Sequence, residues 1–332
     1  MQLESARDLK VELSQEILAD LAEVVHARPL FGISARAWSV RPSPPSTLVL
    51  GVAMRGEEDF ALAVRVQHRA MEASPEVKRI EKKAKGEVDV RYIGSVRKRT
   101  LPWHQQRQRP LSIGCSVGHF GITAGTLGAF VIPRGGGAVA LLSNNHVLAN
   151  ENEAHRGDAI LQPAKLDGGK KRTDTVALLD KFEKLKFKGS NYVDCATAMV
   201  RSGIEANLAK LTGLGKLKGV GNVFVDEGLR VAKIGHTTGL TRGRVTAIEL
   251  DNVVVGYDNG DARFDNQIEI EGAGNEAFSD GGDSGSLIVG SDLRAVALLF
   301  AGSDQGGSNG KGLTYANPIH EVLDALKVDL AL

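Results

Sequence analysis

Apolar positions follow two regimes along the chain, and the change falls near residue 110. In the first hundred residues the periods are mixed. Ile17, Leu18, Leu21, Val24 and Val25 recur at helical intervals after Ser14, a good N-cap residue, so an amphipathic helix is expected there. Pro42, Pro44 and Pro45 mark an irregular link. Thr47–Met54 reads as a buried strand, and the alternation of Phe60, Leu62, Val64 and Val66 supplies its hairpin partner across Gly56, Glu57 and Glu58. Ser74 and Pro75, a cap followed by a first-turn proline, open a second helix running to about Lys85. Val88, Val90 and Tyr92 alternate again, which gives a small α/β module of α-β-β-α-β order.

From about Leu111 the pattern becomes short apolar runs punctuated by glycine, among them Leu127–Ile132, Ala138–Leu142, Val223–Val225, Val253–Val255, Ile268–Ile270, Leu287–Val289 and Ala295–Phe300. Such spacing predicts a mainly β sandwich or barrel and not an alternating βαβ sheet. Near the end, Asn317 and Pro318 are expected to cap a helix carrying Ile319, Val322, Leu323 and Leu326. Residues 101–110 read as the end of a basic linker. The chain therefore divides into an N-terminal α/β module with its linker, 1–110, and a β domain, 111–332.

Composition narrows the function classes. With 41 basic and 40 acidic residues the net charge is +1, so no global field selects nucleic acid or an acidic membrane. Residues 76–109 hold a local basic excess without an aromatic stacking platform, and a solvated helix face with a basic linker accounts for them. Glycine fills 39 of 332 positions, an excess that fits many tight turns. The longest stretch free of Lys, Arg, Asp and Glu, 110–133, is broken by five glycines and reads as strands, not as a membrane span. Met1–Lys10 carries charges and no apolar core, so no signal peptide is expected. Two cysteines, Cys115 and Cys195, are too few for a disulfide framework, and free thiols in a reducing, cytoplasmic compartment are expected.

Three segments could carry chemistry. In Gly281-Gly-Asp-Ser-Gly-Ser-Leu287 a serine flanked by small residues can present its hydroxyl on a sharp turn, with neighbouring N–H groups available to an oxyanion. A serine needs a base, and His146 follows an apolar run in Leu142-Ser-Asn-Asn-His-Val-Leu-Ala149, which puts it on a strand-end loop. His119 and His236 sit in glycine-containing strand contexts and read as ordinary structural histidines. The base needs an orienting carboxylate, and Asp194 lies between Val193 and Cys195 at the head of an apolar strand, where an unpaired charge would be costly. His146, Asp194 and Ser284 are separated by 48 and 90 residues. Serine peptidases with the order His, Asp, Ser have gaps of about 45 and about 93.

With those motifs, and with Gly125-Thr-Leu-Gly-Ala-Phe-Val131, Gly157-Asp-Ala-Ile-Leu-Gln162, Asn191-Tyr-Val-Asp-Cys-Ala196 and Gly239-Leu-Thr-Arg-Gly-Arg-Val245, the chain from about Gly118 to Leu326 resembles a trypsin-like serine peptidase, nearest to the bacterial and plant Narrow-leaf-type branch. The resemblance implies two antiparallel six-stranded β-barrels of chymotrypsin-like type with the site between them. It also implies a serine endopeptidase acting on protein substrates; the sequence leaves a homo-oligomer open. By the same resemblance Ser284 attacks the scissile carbonyl, His146 shuttles the proton, Asp194 holds the imidazole, and the N–H groups of Gly282 and Ser284 form the oxyanion hole. Phe278, six residues before the serine, would floor an apolar substrate pocket favouring small or hydrophobic side chains, with Phe300 and Gly302 on its wall. In many secreted relatives the aspartate before the serine pairs with an N-terminus freed by cleavage. Asp283 has no such partner visible in the sequence, and a constitutively shaped loop is expected.

The competing reading is a trypsin-like fold used as a non-catalytic binding or scaffold protein; retention of His146, Asp194 and Ser284 argues against it. No cofactor or metal is expected. Gly306-Gly-Ser-Asn-Gly-Lys-Gly312 lacks the Ser or Thr of a phosphate loop and reads as a mobile surface loop, and Asp258, Asp261 and Asp265 fit a hairpin turn better than a calcium loop.

Overall fold

The computed structural model describes residues 1–26, 48–94, 96, 101–222 and 225–332, with the backbone alone over 17–26. The expected proline-rich link at 42–45 lies outside the described residues, as do Val223 and Phe224. Two compact units emerge, Met1–Thr100 and Leu101–Leu332.

In the first unit, Phe60–Val66 is the central strand, antiparallel to Leu48–Met54 and parallel to Val88–Tyr92. Leu62, Val64 and Val66 meet Val77 and Ile80, which lie three apart on the helix Pro75–Lys83. Ser74 caps that helix by accepting the Val77 N–H at 3.3 Å, with Pro75 in its first turn. The first helix runs Leu3–His26 and not from Ser14, which sits inside it. Ala6 and Leu13, seven residues apart, are buried on one face, and the charged residues between them hide that short apolar stripe from a periodicity reading. Within the basic segment, Lys83 pairs with Glu12 and Glu16, and Arg91 with Asp89.

The second unit is built from two β assemblies. The later one is a closed barrel of six antiparallel strands in the ring order Arg230–Gly235, Gly239–Leu250, Gln267–Gly272, Leu313–Pro318, Ala295–Gly302 and Leu287–Gly290. Alternate residues Val245, Ile268, Ile270, Ile288 and Leu299 fill it. The earlier assembly is an eight-stranded sheet that runs from Val328–Leu330 at one edge to Gly125–Thr126 at the other. It differs from the expected six-stranded barrel because no continuous ladder joins its ends. The chain itself spans the gap: Gly125–Thr126 pairs with Ser116–His119, and after two intervening residues Ala129–Pro133 pairs with Ala140–Ser143. At the bend, Leu127 N–H donates to Cys115 and Gly128 N–H to Leu142.

A hairpin, Val253–Tyr257 and Gly260–Phe264, leaves the closed barrel and pairs in parallel with Ser190–Asn191. The helix Ile319–Leu326 and the strand Val328–Leu330 carry the chain from the barrel back to the eight-stranded sheet. Asn317 does not cap this helix; its side chain is used elsewhere, as described below. Residues 101–110 are not a free linker. Gln105 donates to His236 O, Arg109 to Gln162, and Gln162 back to Gln106 O, so the segment is packed into the second unit. Among the described residues no helix is long and apolar enough to cross a membrane.

Candidate active site

The strand Ala140–Ser143 ends in a short helix, Asn145–Leu148, that carries His146. Asp194 lies just before the neighbouring strand Ala196–Val200, so the pairing of those two strands sets the two side chains together. His146 Nδ1 is 2.5 Å from Asp194 Oδ2, which makes Nδ1 the protonated nitrogen facing the carboxylate. Asp194 is fully buried. Its Oδ1 accepts the Asn145 N–H at 2.6 Å and the His146 N–H at 3.4 Å, while Oδ2 also accepts the Tyr257 hydroxyl at 2.8 Å. The backbone of Asp194 is held as firmly: its N–H donates to Asn317 Oδ1 and its carbonyl accepts from Asn144 Nδ2. Burial of the His146 ring works to lower its pKa, but the charge and hydrogen bond of Asp194, with a smaller contribution from Glu151, outweigh it and raise the value above 6.5.

Ser284 sits on the turn between Asp280 and Ser286. The turn closes on itself through Asp283 N–H to Asp280 O and Ser286 N–H to Asp283 O. It has positive φ at both Gly282 (94°) and Gly285 (90°). A side chain at Gly282 would meet Thr237 Oγ1 at 2.6 Å and His236 Nδ1 at 2.7 Å, and one at Gly285 would meet Ser143 Oγ at 2.0 Å. Both positions therefore require glycine, for conformation and for space.

Beneath the turn lies an ion pair that the sequence did not reveal. Asp283 and Lys233 are both fully excluded from solvent, 3.0 Å apart. Asp283 Oδ1 also accepts the N–H groups of Thr237 and Thr238, and Oδ2 accepts the Thr238 hydroxyl and the Asp280 N–H. Burial opposes ionisation of Asp283, but the Lys233 charge and these donors prevail and hold its carboxyl below the usual range. For Lys233, burial is the larger influence, and it pulls the ammonium below its ordinary value despite Asp283. The missing partner of Asp283 is thus internal.

The turn is also tied to the eight-stranded sheet. Thr126 N–H donates to Ser284 O at 2.8 Å, and its hydroxyl donates to Gly282 O at 3.1 Å. Thr126 O in turn accepts from Ser143 Oγ, three residues before His146. With the carbonyls of Gly282 and Ser284 both engaged by Thr126, neither residue's N–H donates to a protein acceptor among the described residues. His236, read as structural, backs this corner: its ring Nε2 is 2.8 Å from the buried Asp167, and its N–H donates to Thr126 Oγ1. His119 pairs separately with Asp158 at 3.3 Å. The structure brings His146 and Asp194 into contact and sets the Ser284 turn beside the strand leading to His146. It shows no hydrogen bond between His146 and Ser284, whose hydroxyl has no partner among the described residues.

The pocket residues fare differently. Phe278 points into the closed barrel, packed with Val231, Val245 and Ile270, and is 1% exposed, so it does not floor an open pocket. Phe300 is also buried, against Phe264 at 4.6 Å between ring centroids. The apolar floor expected from the sequence is therefore absorbed into two hydrophobic cores. Gly302 remains on a surface. With Ala301, Ser303 and Tyr315 it lines a groove of about 540 Å³ that also takes in Val253 and Val255. Gly302 also faces Ser279, whose hydroxyl is 2.6 Å from that of Thr314. The glycine-rich segment 306–312 is held by Asn309, which donates to the carbonyls of Gly272, Gly274 and Glu276, and by Ser308, which donates to Glu271.

Lys233, Tyr257, Thr126 and Asn317 escaped the sequence reading. Lys233 alone left a signal, a lone charge inside the apolar run Val231-Ala-Lys-Ile234 that needs a buried counter-charge. Both cysteines are unbridged and buried, and burial pushes the Cys115 thiol up to about 12.

No family model and no curated protein matches the chain. Among solved structures it is similar to Cellulomonas bogoriensis chymotrypsin, with 18% identity, a TM-score of 0.45 and coverage of 67% of this chain and 98% of that one. It is also similar to Thermobifida fusca protease A (17%, 0.46, 67% and 98%) and to Nocardiopsis protease (15%, 0.47, 67% and 99%).

Proposed function

We propose that residues 101–332 form a trypsin-like serine endopeptidase that cleaves peptide bonds through an acyl-enzyme on Ser284. The observation that carries this reading is the buried carboxylate of Asp194 bonded to His146 Nδ1 at 2.5 Å, with the imidazole partly exposed and its Nε2 uncommitted among the described residues. Nε2 is then free to accept the Ser284 proton as the hydroxyl attacks, and to return it to the leaving amine. The bond from His146 to Ser284 is one that tightens when substrate is bound. The uncommitted N–H groups of Gly282 and Ser284 supply the oxyanion donors, and the rigid turn supplies their preorganisation.

Because Lys233 already neutralises Asp283, the oxyanion turn needs no freed N-terminus. Activity in the uncut chain follows; a cut near Leu111–Gly118 coinciding with the onset of activity would argue against it. The Ser279 hydroxyl, bonded to that of the buried Thr314, lies beside Gly302 where a basic substrate residue would need a carboxylate, so small uncharged side chains before the cut are favoured. The motifs quoted above resemble those of the Narrow-leaf-type branch, and membership of that branch is part of the proposal. The two unbridged cysteines are in keeping with a reducing compartment, and the first unit is proposed to serve recruitment, assembly or regulation.

The test is cleavage of a peptide library by wild type and Ser284→Ala, with new N-termini read by mass spectrometry. Wild type is expected to cut after small uncharged residues and the variant to cut nothing. Equal cleavage by both removes the proposal, and a preference for Lys or Arg removes its specificity. In the same assay kcat/KM is expected to rise with pH through an acid limb centred above 6.5, because the base must be neutral and Asp194 holds its proton more tightly than in free histidine. A limb centred below 6.5 contradicts that assignment.

A further inference from the structure

We infer that Tyr257 is a positioning residue for the His146–Asp194 pair, through which the hairpin Val253–Phe264 becomes part of the catalytic apparatus. The inference rests on the serine peptidase reading.

Tyr257 closes the first strand of the hairpin, just before the turn at Asp258 and Asn259. Its hydroxyl donates to the same carboxylate oxygen that faces His146 Nδ1, at 2.8 Å against 2.5 Å. Its ring stands edge-on to the His146 imidazole, 5.9 Å between centroids. It is steadied from behind by Phe264 at 6.3 Å and Phe187 at 6.4 Å, and Phe264 rests on Phe300. Burial and the Asp194 charge both raise the phenol's pKa, so it stays protonated and can only donate towards Asp194.

Two effects follow. The phenol fixes the rotation of the carboxylate, since Oδ1 is taken by Asn145 and His146 N–H groups and Oδ2 by the ring and the phenol. It also withdraws part of the negative charge that Oδ2 offers to an imidazolium. The charged and titratable groups facing His146 are Asp194, Tyr257 and, at longer range, Glu151. Removing the phenol's donation leaves the full carboxylate charge on the imidazolium, so the base holds its proton more tightly.

Tyr257→Phe in the full chain tests this, with His146 titrated by NMR of imidazole-labelled protein and kcat and KM followed against pH. The His146 midpoint is expected to rise by roughly half to one pH unit. At neutral pH kcat should fall about tenfold, with KM within about twofold. Incorporating 3-fluorotyrosine at 257 keeps the shape and strengthens the donor, and should move the midpoint the opposite way. Met54→Ser, at an exposed position of the first unit, should leave it unchanged. An unmoved His146 midpoint in both Tyr257 variants, or shifts of the same sign in both, overturns the inference. The NMR readout needs no turnover. If Ser284 proves unreactive while the midpoints still move in opposite directions, the hydrolase reading fails and the role of Tyr257 in holding the pair stands.

Discussion

Asp194→Asn is expected to lower kcat about 10⁴-fold near neutral pH while leaving KM within a few-fold. The geometry dictates the sense of the defect. Asn145 N–H requires an acceptor at the Oδ1 position, so the asparagine carbonyl takes that place and its NH₂ faces His146 Nδ1. An amide NH₂ cannot accept a hydrogen bond, and Nδ1 must then be the unprotonated nitrogen. The proton moves to Nε2, the atom that in the proposed mechanism has to receive it from Ser284. The fold should survive, since shape is kept and a buried charge is removed. The check is steady-state kinetics on the best library peptide, beside a thermal unfolding curve. A loss below about tenfold with the fold intact would show that Asp194 does not set the tautomer.

Lys233→Met is expected to destabilise the second unit by about 3–5 kcal/mol at neutral pH, because it leaves the Asp283 carboxylate buried without its counter-charge. The double variant Lys233→Met with Asp283→Asn should recover most of that loss, since an amide oxygen can still accept from Thr237 and Thr238 N–H. The pH dependence has a definite sign. The Asp283 carboxyl is depressed in the folded wild type, so its contribution is present above the unfolded value near 3.8 and fades as pH falls through the lower folded value. In Lys233→Met that carboxyl protonates more readily, and the gap between the proteins should narrow under acid conditions. Urea denaturation at two pH values measures both effects. A single-variant loss under about 1 kcal/mol would mean that the pair is not what orders the turn.

The site was legible where chemistry is written in single residues and their order. A serine between Asp283 and Gly285 in a glycine-rich turn, a histidine at the end of an apolar strand and an aspartate between Val193 and Cys195 each carry a local signature. Their separations can be read directly, and the structure sets His146 and Asp194 in hydrogen-bonding contact. What stayed hidden depends on which way a side chain faces in an irregular segment. Phe278 precedes the serine through a glycine turn with no regular period, so nothing in the sequence says that its ring enters the barrel. Asn317 looks like a helix cap because Asn-Pro usually is one, yet its side chain reaches Asp194 and Gln267 across distant segments. Tyr257 contacts a residue 63 positions away from a hairpin whose placement no local pattern fixes. In the first unit the early start of the helix was masked because the apolar positions Ala6, Leu9 and Leu13 are interrupted by the charged residues Arg7, Asp8, Lys10 and Glu12.

The most direct test of the catalytic reading is covalent. Wild-type protein treated with a fluorophosphonate and digested should yield one phosphonylated peptide, modified at Ser284, and the label should be lost in Ser284→Ala and strongly slowed in His146→Ala. Absence of labelling in folded wild type at pH 8, or an adduct on any other residue, would contradict the account.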